Sequence, residues 1–402
     1  MGEFQGTITN VSLEEIQTDQ IVGNALNNKF PFVFWRKPQA DRFHLSIALQ
    51  EDTVLKEYQL ESLESGFLFR PFEENSDHEN HFIKNDILLE FRTDSCTNLH
   101  TSPHVSQDDI QFLLEKSENP AFADYYTSDK NPYTQSEEHE NKFIQLVERS
   151  IDQIKNGAFH KVVPSRINNI NLPNDFDPIH FFKKLEQTYP NAFVYLICLP
   201  DAGTWIGATP ENLISVEENK IFKTTALAGT QKYEEGMRLV DAAWRQKEIE
   251  EQALVCRYII NCFKKIRLRE FEEIGPRTMK AGNLIHLKTD YIVNMEEVNF
   301  PQLGSVMLEL LHPTSAVCGM PKDPALKFIK ENEGFDRSYF SGFLGPVATK
   351  EQTNLFVNLR CMKLNNDHSA DIYAGAGVTI DSVPEKEWLE TEMKMETLLK
   401  LM

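Results

Sequence analysis

The sequence predicts an α+β fold on three observations. Hairpin-like strands cluster between helices without regular β-α alternation. The first ~115 residues alternate short β-rich runs with polar breaks. Well-separated stretches then carry apolar residues at the 3-and-4 spacing of one helical face.

In the first part, the runs at 32–35, 43–49, 67–69 and 87–91 are rich in aromatic and branched residues and read as strands. Residues 117–140, full of Ser, Asp, Glu, Asn and Pro, read as a seam. Phe143, Leu146, Val147, Ile151 and Ile154 make an amphipathic helix that Gly157 should stop. Strands are expected at 159–168, 192–199, 204–207, 212–216 and 221–227, then a long helix over about 236–267. Helices at 304–311 and 325–331 and strands at 343–348, 354–364 and 371–375 lead to a terminal helix from about 385. The character of the chain thus changes near Glu140, dividing it into a first part, 1–137, and a second, 138–402.

Acids outnumber bases 61 to 41, and a net charge of −20 argues against a nucleic-acid partner. No run of ~18 apolar residues suggests a membrane span. The amino terminus lacks the basic and apolar blocks of a secretion signal. Six dispersed cysteines without CxxC spacing read as reduced thiols, so a cytoplasmic location is expected. His78 and His81, in an acidic stretch, read as part of a solvated loop.

Two stretches put carboxylates where a helix should put its core. Trp244, Glu248, Glu251, Val255, Ile259, Cys262 and Ile266 follow one helical face, and Glu387, Glu390, Lys394, Leu398 and Leu401 follow another. One reading is a pair of solvated faces. The other is four acids converging on the interior, where burial forces them to neutralise, pair or hold a cation. With no histidine beside them, a hard, oxygen-seeking ion such as Mg²⁺ suits them better than zinc.

Lys161 sits in His160-Lys161-Val162-Val163-Pro164-Ser165-Arg166, a strand that Pro164 must interrupt or place at an edge. It is a salt-bridged structural lysine or, on an apolar face, a base. Bringing a lysine from ~10.4 to near 7 takes roughly 4–5 kcal/mol of differential destabilisation. Glu211 projects from the tight turn Gly207-Ala208-Thr209-Pro210-Glu211. Apolar strands end in small residues at Ala228-Gly229-Thr230 and Ala374-Gly375-Ala376-Gly377, and 312–321 is a third rigid loop, containing Ala316. Such places let backbone approach a ligand or simply serve packing. Arg360, read within an apolar strand, is a carboxylate clamp or an ion-pair member.

Taken in order, Lys161–Arg166, Gly207–Leu213, Leu227–Thr230, Lys247–Glu251, His312–Pro321, Phe335-Asp336-Arg337, Arg360, Tyr373–Gly377 and Glu387–Lys394 resemble the chorismate-utilising enzymes. The likeness covers about residues 138–402. It implies large antiparallel sheets in a layered core flanked by helices, with 1–137 folded into the same body. It further implies Lys161 as the base activating water and Glu211 as the acid protonating the departing C4 hydroxyl. Glu251 and Glu390 would hold Mg²⁺, with Glu248 and Glu387 on its waters. Arg360, Gly229, Thr230, Ala316, Gly375 and Lys394 would bind substrate, with His286 near the leaving hydroxyl.

Within that family the details point to water as nucleophile, hence to isochorismate synthase. Ala228 stands where aminodeoxychorismate synthases carry a nucleophilic lysine, and His312-Pro313-Thr314 differs from the anthranilate synthase loop. Salicylate synthase, which adds pyruvate elimination, and a catalytically inactive chorismate-fold protein are the alternatives. Gln252 departs from a usual histidine, with a consequence for Mg²⁺ affinity, and no arginine follows Gly229-Thr230. Chorismate is the expected small-molecule partner, with no amidotransferase subunit and a monomeric state.

Overall fold

A computed structural model describes residues 2–4, 13, 16–50, 53–73, 77–115, 119–129, 139–218, 220–281 and 284–402. Of the seam expected at 117–140, residues 117, 118 and 130–138 lie outside the described residues.

Two antiparallel sheets form the centre, one of ten strands and one of eight. In the larger sheet, Phe32–Arg36 pairs with Phe43–Ile47 on one side and Phe193–Leu199 on the other. That sheet continues through Gly203–Thr209, Cys361–Leu364 and Ser369–Gly375 to the edge strand Ser165–Asn171. The smaller sheet joins Gly66–Arg70 and His81–Lys84 to Phe343–Val347, Gln352–Val357, Asn212–Glu217, Ile221–Lys232 and the hairpin Glu272–Ala281/Leu284–Asn294. Strands from before and after residue 138 share both sheets.

Aromatic side chains fill the space between the sheets: Trp35, Phe67, Phe69, Phe193, Trp205, Tyr339 and Tyr373 are buried in one cluster. Outside the larger sheet, Ile21 and Val22 of helix Thr18–Asn27 join Phe181, Phe182 and Leu185 of Pro178–Thr188 in a second core. Helices His139–Lys155, Gln246–Lys265 and Leu303–Leu311 bury a third core against the smaller sheet. Both sheets thus have two buried faces, and each outer face is covered by helices. The layered α+β architecture expected from the sequence is what forms.

Several local expectations need correction. The strand expected over 159–168 starts only at Lys161 and, as Pro164 required, is interrupted at that proline into Lys161–Val162 and Ser165–Asn171, because proline cannot donate to a ladder. The long helix begins at Gln246, not near 236. Residues 233–245 instead form an exposed strap with a short turn at Leu239–Asp241, where Arg238 holds Asp241 at 2.7 and 3.0 Å. Trp244 accordingly precedes the helix and donates to Thr278 Oγ1 at 3.0 Å. His81 is buried on a strand, its Nδ1 2.8 Å from Thr53 Oγ1, so the solvated-loop reading fails there. His78 lies 2.8 Å from Asp336. All six cysteines are free thiols. No helix among the described residues is long and apolar enough to cross a membrane.

Candidate active site

Among the described residues the chain passes between the two large sheets four times, and two of these crossings, after Thr209 and after Val357, lie side by side. Strand Gly203–Thr209 belongs to the larger sheet and Asn212–Glu217 to the smaller, so Pro210 and Glu211 are the crossover. Gln352–Val357 and Cys361–Leu364 are likewise joined by a crossover containing Arg360. The two are tied together by Val357 N–H to Glu211 O at 3.0 Å and Ala208 N–H to Arg360 O at 3.1 Å. Arg360 is thus at a bend, with φ of 49°, and not within a strand as the pattern suggested. Its left-handed backbone turns a buried guanidinium inward.

Beside these crossings opens a cavity of about 70 Å³. Nine predicted residues line it: Glu211, Gly229, Thr230, Glu251, His286, Ala316, Arg360, Gly375 and Lys394. Gly229 interrupts the pairing of Ile221–Lys232 with Leu284–Asn294, at a φ of +67°. A Cβ there would stand 3.1 Å from Glu248 Cβ, so the bulge lets the strand meet the first turn of the 246–265 helix. Ala316 is held by a buried network: Arg337 donates to Val317 O at 2.8 Å and Val163 O at 2.7 Å, and pairs with Glu333. Glu333 in turn accepts from Ser165 N–H at 2.8 Å, so one ion pair positions both the 312–321 loop and the 161–165 segment.

Lys161 is completely buried, and its Nζ lies 3.0 Å from Glu251 Oε1. The same pattern recurs twice. Lys247 pairs with Glu387 at 2.5 Å, and Lys394 pairs with Glu390 at 2.8 Å while donating to Gly375 O at 2.7 Å. Three acids from two distant helices are therefore held by three lysines. Of the two open readings of the acidic faces, the inward one holds for Glu251, Glu387 and Glu390, the last two on helix Pro384–Leu399. Glu248 departs from it. Its carboxylate accepts from Arg245 N–H at 3.0 Å, capping its own helix.

Burial pushes Glu211 up to about 7, opposed by the charges of Lys161, Lys394 and Arg360. Burial also raises Glu387, with repulsion from Glu390 adding to it. Glu251 goes the other way: burial opposes ionisation, but Lys161, Lys247 and Lys394 together hold it below the usual carboxylate range. Burial lowers His286 to about 3 and Arg360 to about 10. His286 Nδ1 lies 3.1 Å from Gly229 O, and its buried Nε2 meets no hydrogen-bond partner among the described residues. A neutral imidazole aimed at the cavity results.

The acids suit a divalent cation on one observation. Glu387 is 1% exposed, yet its Oε2 has no hydrogen-bond partner among the described residues, leaving an orphaned acceptor in an all-oxygen donor set. As the side chains stand, no three acids or histidines among the described residues converge at ligating distance, because the lysines hold them apart. Gln252 is spent elsewhere, donating to Ala226 O at 3.2 Å and Thr289 Oγ1 at 3.0 Å.

The sequence pattern points to the acids and to Lys394 beside Glu390, but not to the pairing of Lys161 with Glu251 or of Lys247 with Glu387. Lys247 was noticed only as part of a motif. Gly377, expected only as one of several small residues ending a strand, has a sharper role: a Cβ there would stand 2.6 Å from Glu251 Oε1 and 3.1 Å from Lys161 Cε. The hairpin carrying His286 was not foreseen at all, since its strand Glu272–Ala281 is punctuated by charge and by Gly275-Pro276.

Comparison with known proteins follows the same lines. The vibriobactin-specific isochorismate synthase of Vibrio cholerae is 26% identical over 264 residues, 64% of this chain and 66% of that protein. Anthranilate synthase component 1 of Thermococcus kodakarensis is 27% identical over 64% of this chain and 59% of its own length. The chain thus spans slightly under two thirds of these curated relatives. The solved menaquinone-specific isochorismate synthase of Escherichia coli superposes with a TM-score of 0.71 at 21% identity, covering 94% of this chain and 90% of that one. A family model described as chorismate binding enzyme matches residues 45–402, nine tenths of the sequence, and the chain belongs to that family.

Proposed function

We propose that this chain is an isochorismate synthase, adding water at C2 of chorismate and expelling the C4 hydroxyl. The observation that carries this reading is Glu211, pushed up to about 7 by burial, at a cavity edge within electrostatic reach of the buried Lys161. An acid that keeps its proton at neutral pH can donate it, and a lysine opposite can receive one. Named isochorismate synthases among the relatives support the same reading.

Lys161 takes one proton from the attacking water as its oxygen bonds to C2. The ring double bonds shift, the C4–O bond breaks, and Glu211 gives its proton to the departing hydroxide, which leaves as water. One water enters and one leaves, so the net change is an isomerisation. Proton return from Lys161 to Glu211 through solvent resets the site. Arg360, with a buried Nη1 lacking a hydrogen-bond partner among the described residues, would clamp the enolpyruvyl carboxylate, with backbone at Gly229 and Gly375 beside it. Glu251 and Glu390 would hold Mg²⁺, with Glu387 behind them and Glu248 available once released from its cap. When bound, the ion would offset the acids, receive the ring carboxylate and compete with Lys161 for Glu251.

Incubating the protein with chorismate, Mg²⁺ and ammonium and separating the products tests the reading. Isochorismate alone is expected. Salicylate with pyruvate would make the chain a salicylate synthase, and anthranilate would overturn water as nucleophile.

A further inference from the structure

Two open hollows adjoin the cavity. One lies between residues 188–192, the end of the terminal helix at Thr397 and Lys400, and the pair Tyr233 and Lys280. The other lies against the 272–294 hairpin, where Arg277, Lys280 and Lys288 line it. Pro210 borders both hollows and the cavity, Lys280 borders both hollows, and Arg360 borders the first hollow and the cavity. A continuous groove therefore leads from the surface past Lys280 and Pro210 to Arg360.

Its charge is opposite to that of the molecule. Five cations line it against the single acid Glu235, in a chain with 61 acids and 41 bases. Arg277 and Lys288 are committed to Asp290, and Lys400 lies 3.9 Å from Glu396. Lys280 is different. Among the described residues it has no carboxylate partner, and its ammonium lies 3.6 Å from the centre of the Tyr233 ring. At a half-exposed site such a contact is worth only about 0.5–1 kcal/mol, so it holds the lysine in place yet yields readily to an anion.

We propose that this groove is an anion-capture site and entry route for a dicarboxylate substrate, with Lys280 its first contact and Arg360 its last. This rests on chorismate being the substrate. A chain of net charge −20 repels a dianion at long range. A concave cationic path of low-dielectric walls reverses that field locally and delivers the anion to the guanidinium at the crossover. Tyr233 and Glu235 belong to the strap at 233–245, which places that strap along one side of the route.

The experiment is steady-state chorismate consumption by the Mg²⁺-loaded protein and its Lys280→Glu, Lys280→Gln and Lys280→Arg variants, at about 20 mM and about 0.5 M salt. At low salt, Lys280→Glu should lower kcat/KM roughly three- to tenfold and Lys280→Gln less, while Lys280→Arg stays near wild type. All should keep kcat, and the differences should vanish at high salt. Wild-type kcat/KM in Lys280→Glu at low salt would overturn the proposal, as would a loss that salt leaves unchanged. Product identity separates the two readings: chorismate consumed to another product sinks the isochorismate assignment while the salt response still tests the groove. Should the wild type consume no chorismate, stopped-flow quenching of intrinsic fluorescence on binding gives the association constant, with the same outcomes expected.

Discussion

Lys161 Nζ lies 3.0 Å from Glu251 Oε1, so a fully buried lysine is paired with an acid that lines the cavity. A base and a candidate metal ligand are thereby linked. Lys161→Met should cut isochorismate formation by roughly 10²–10⁴-fold, the usual worth of a positioned base. Chorismate binding, followed by calorimetry in the presence of Mg²⁺, should change little.

Gly377 guards that pair. Gly377→Ala would push a methyl to within 2.6 Å of Glu251 Oε1 and 3.1 Å of Lys161 Cε, so one of the two must move. We expect activity to fall at least tenfold, since a displacement near 1 Å is costly in a positioned site. The far-ultraviolet circular dichroism spectrum should be unchanged. Full activity would mean that the pair tolerates displacement.

Glu211 gives the site its pH response. With its proton held up to about 7, kcat/KM should decline as one ionisation above neutrality, and Glu211→Gln should abolish both the activity and that limb. Stability carries the same signature. The folded-state value lies above the ordinary 4.5, so the native protein binds the proton more tightly than the unfolded chain. The stabilisation is full below pH 4.5 and is lost as pH rises through about 7. At about 1.4 kcal/mol per pH unit, Glu211→Gln should be up to about 3 kcal/mol more stable than the wild type at pH 8, with little difference at pH 4. Urea unfolding at the two pH values checks it.

Lys247 competes for the cluster. It pairs with Glu387 at 2.5 Å, and its charge opposes an incoming cation. Lys247→Met should therefore tighten Mg²⁺ binding several-fold, read by isothermal titration on the substrate-free protein. Unchanged or weaker affinity would mean that Lys247 does not compete with the metal. Glu251→Ala should weaken Mg²⁺ binding, and EDTA should stop turnover.

The Arg337–Glu333 pair holds two of the site's walls without entering the chemistry. Both side chains are almost fully buried, at 2% and 1% exposure. Arg337→Leu leaves a buried carboxylate uncompensated and should cost about 3–5 kcal/mol in chemical denaturation.

How much of this was legible in the sequence depends on the range of the interaction. Glu251, Glu387 and Glu390 could be found because helical periodicity is local, and an acid on an apolar face is conspicuous. Glu211 and Gly229 were visible as turn and strand-end residues, since backbone geometry limits what can stand there. Two of the three lysine pairings were not visible, whereas Lys394 stands one helical turn from Glu390 on the same face. Lys161 and Glu251 are 90 residues apart, and Lys247 and Glu387 are 140 apart. Only the packing of strand on helix and helix on helix brings them together. Arg360 was misplaced because its neighbours are apolar on both sides. The pattern could not tell a strand interior from a crossover between two buried sheets. The cap at Glu248 was not legible, because capping and burial ask for the same residue at the same helical position.

The interleaving of early and late strands bears on how the catalytic centre comes into being. Phe32–Arg36 hydrogen-bonds to Phe193–Leu199, and the residues opposing Glu251 and Lys161 arrive only with the final helix, Pro384–Leu399. A ribosome-bound chain lacking its last twenty residues would possess the lysine and one acid, but neither Glu387 nor Glu390. Pairings this distant make for slow maturation and for a nascent chain that needs protection of its open sheet edges.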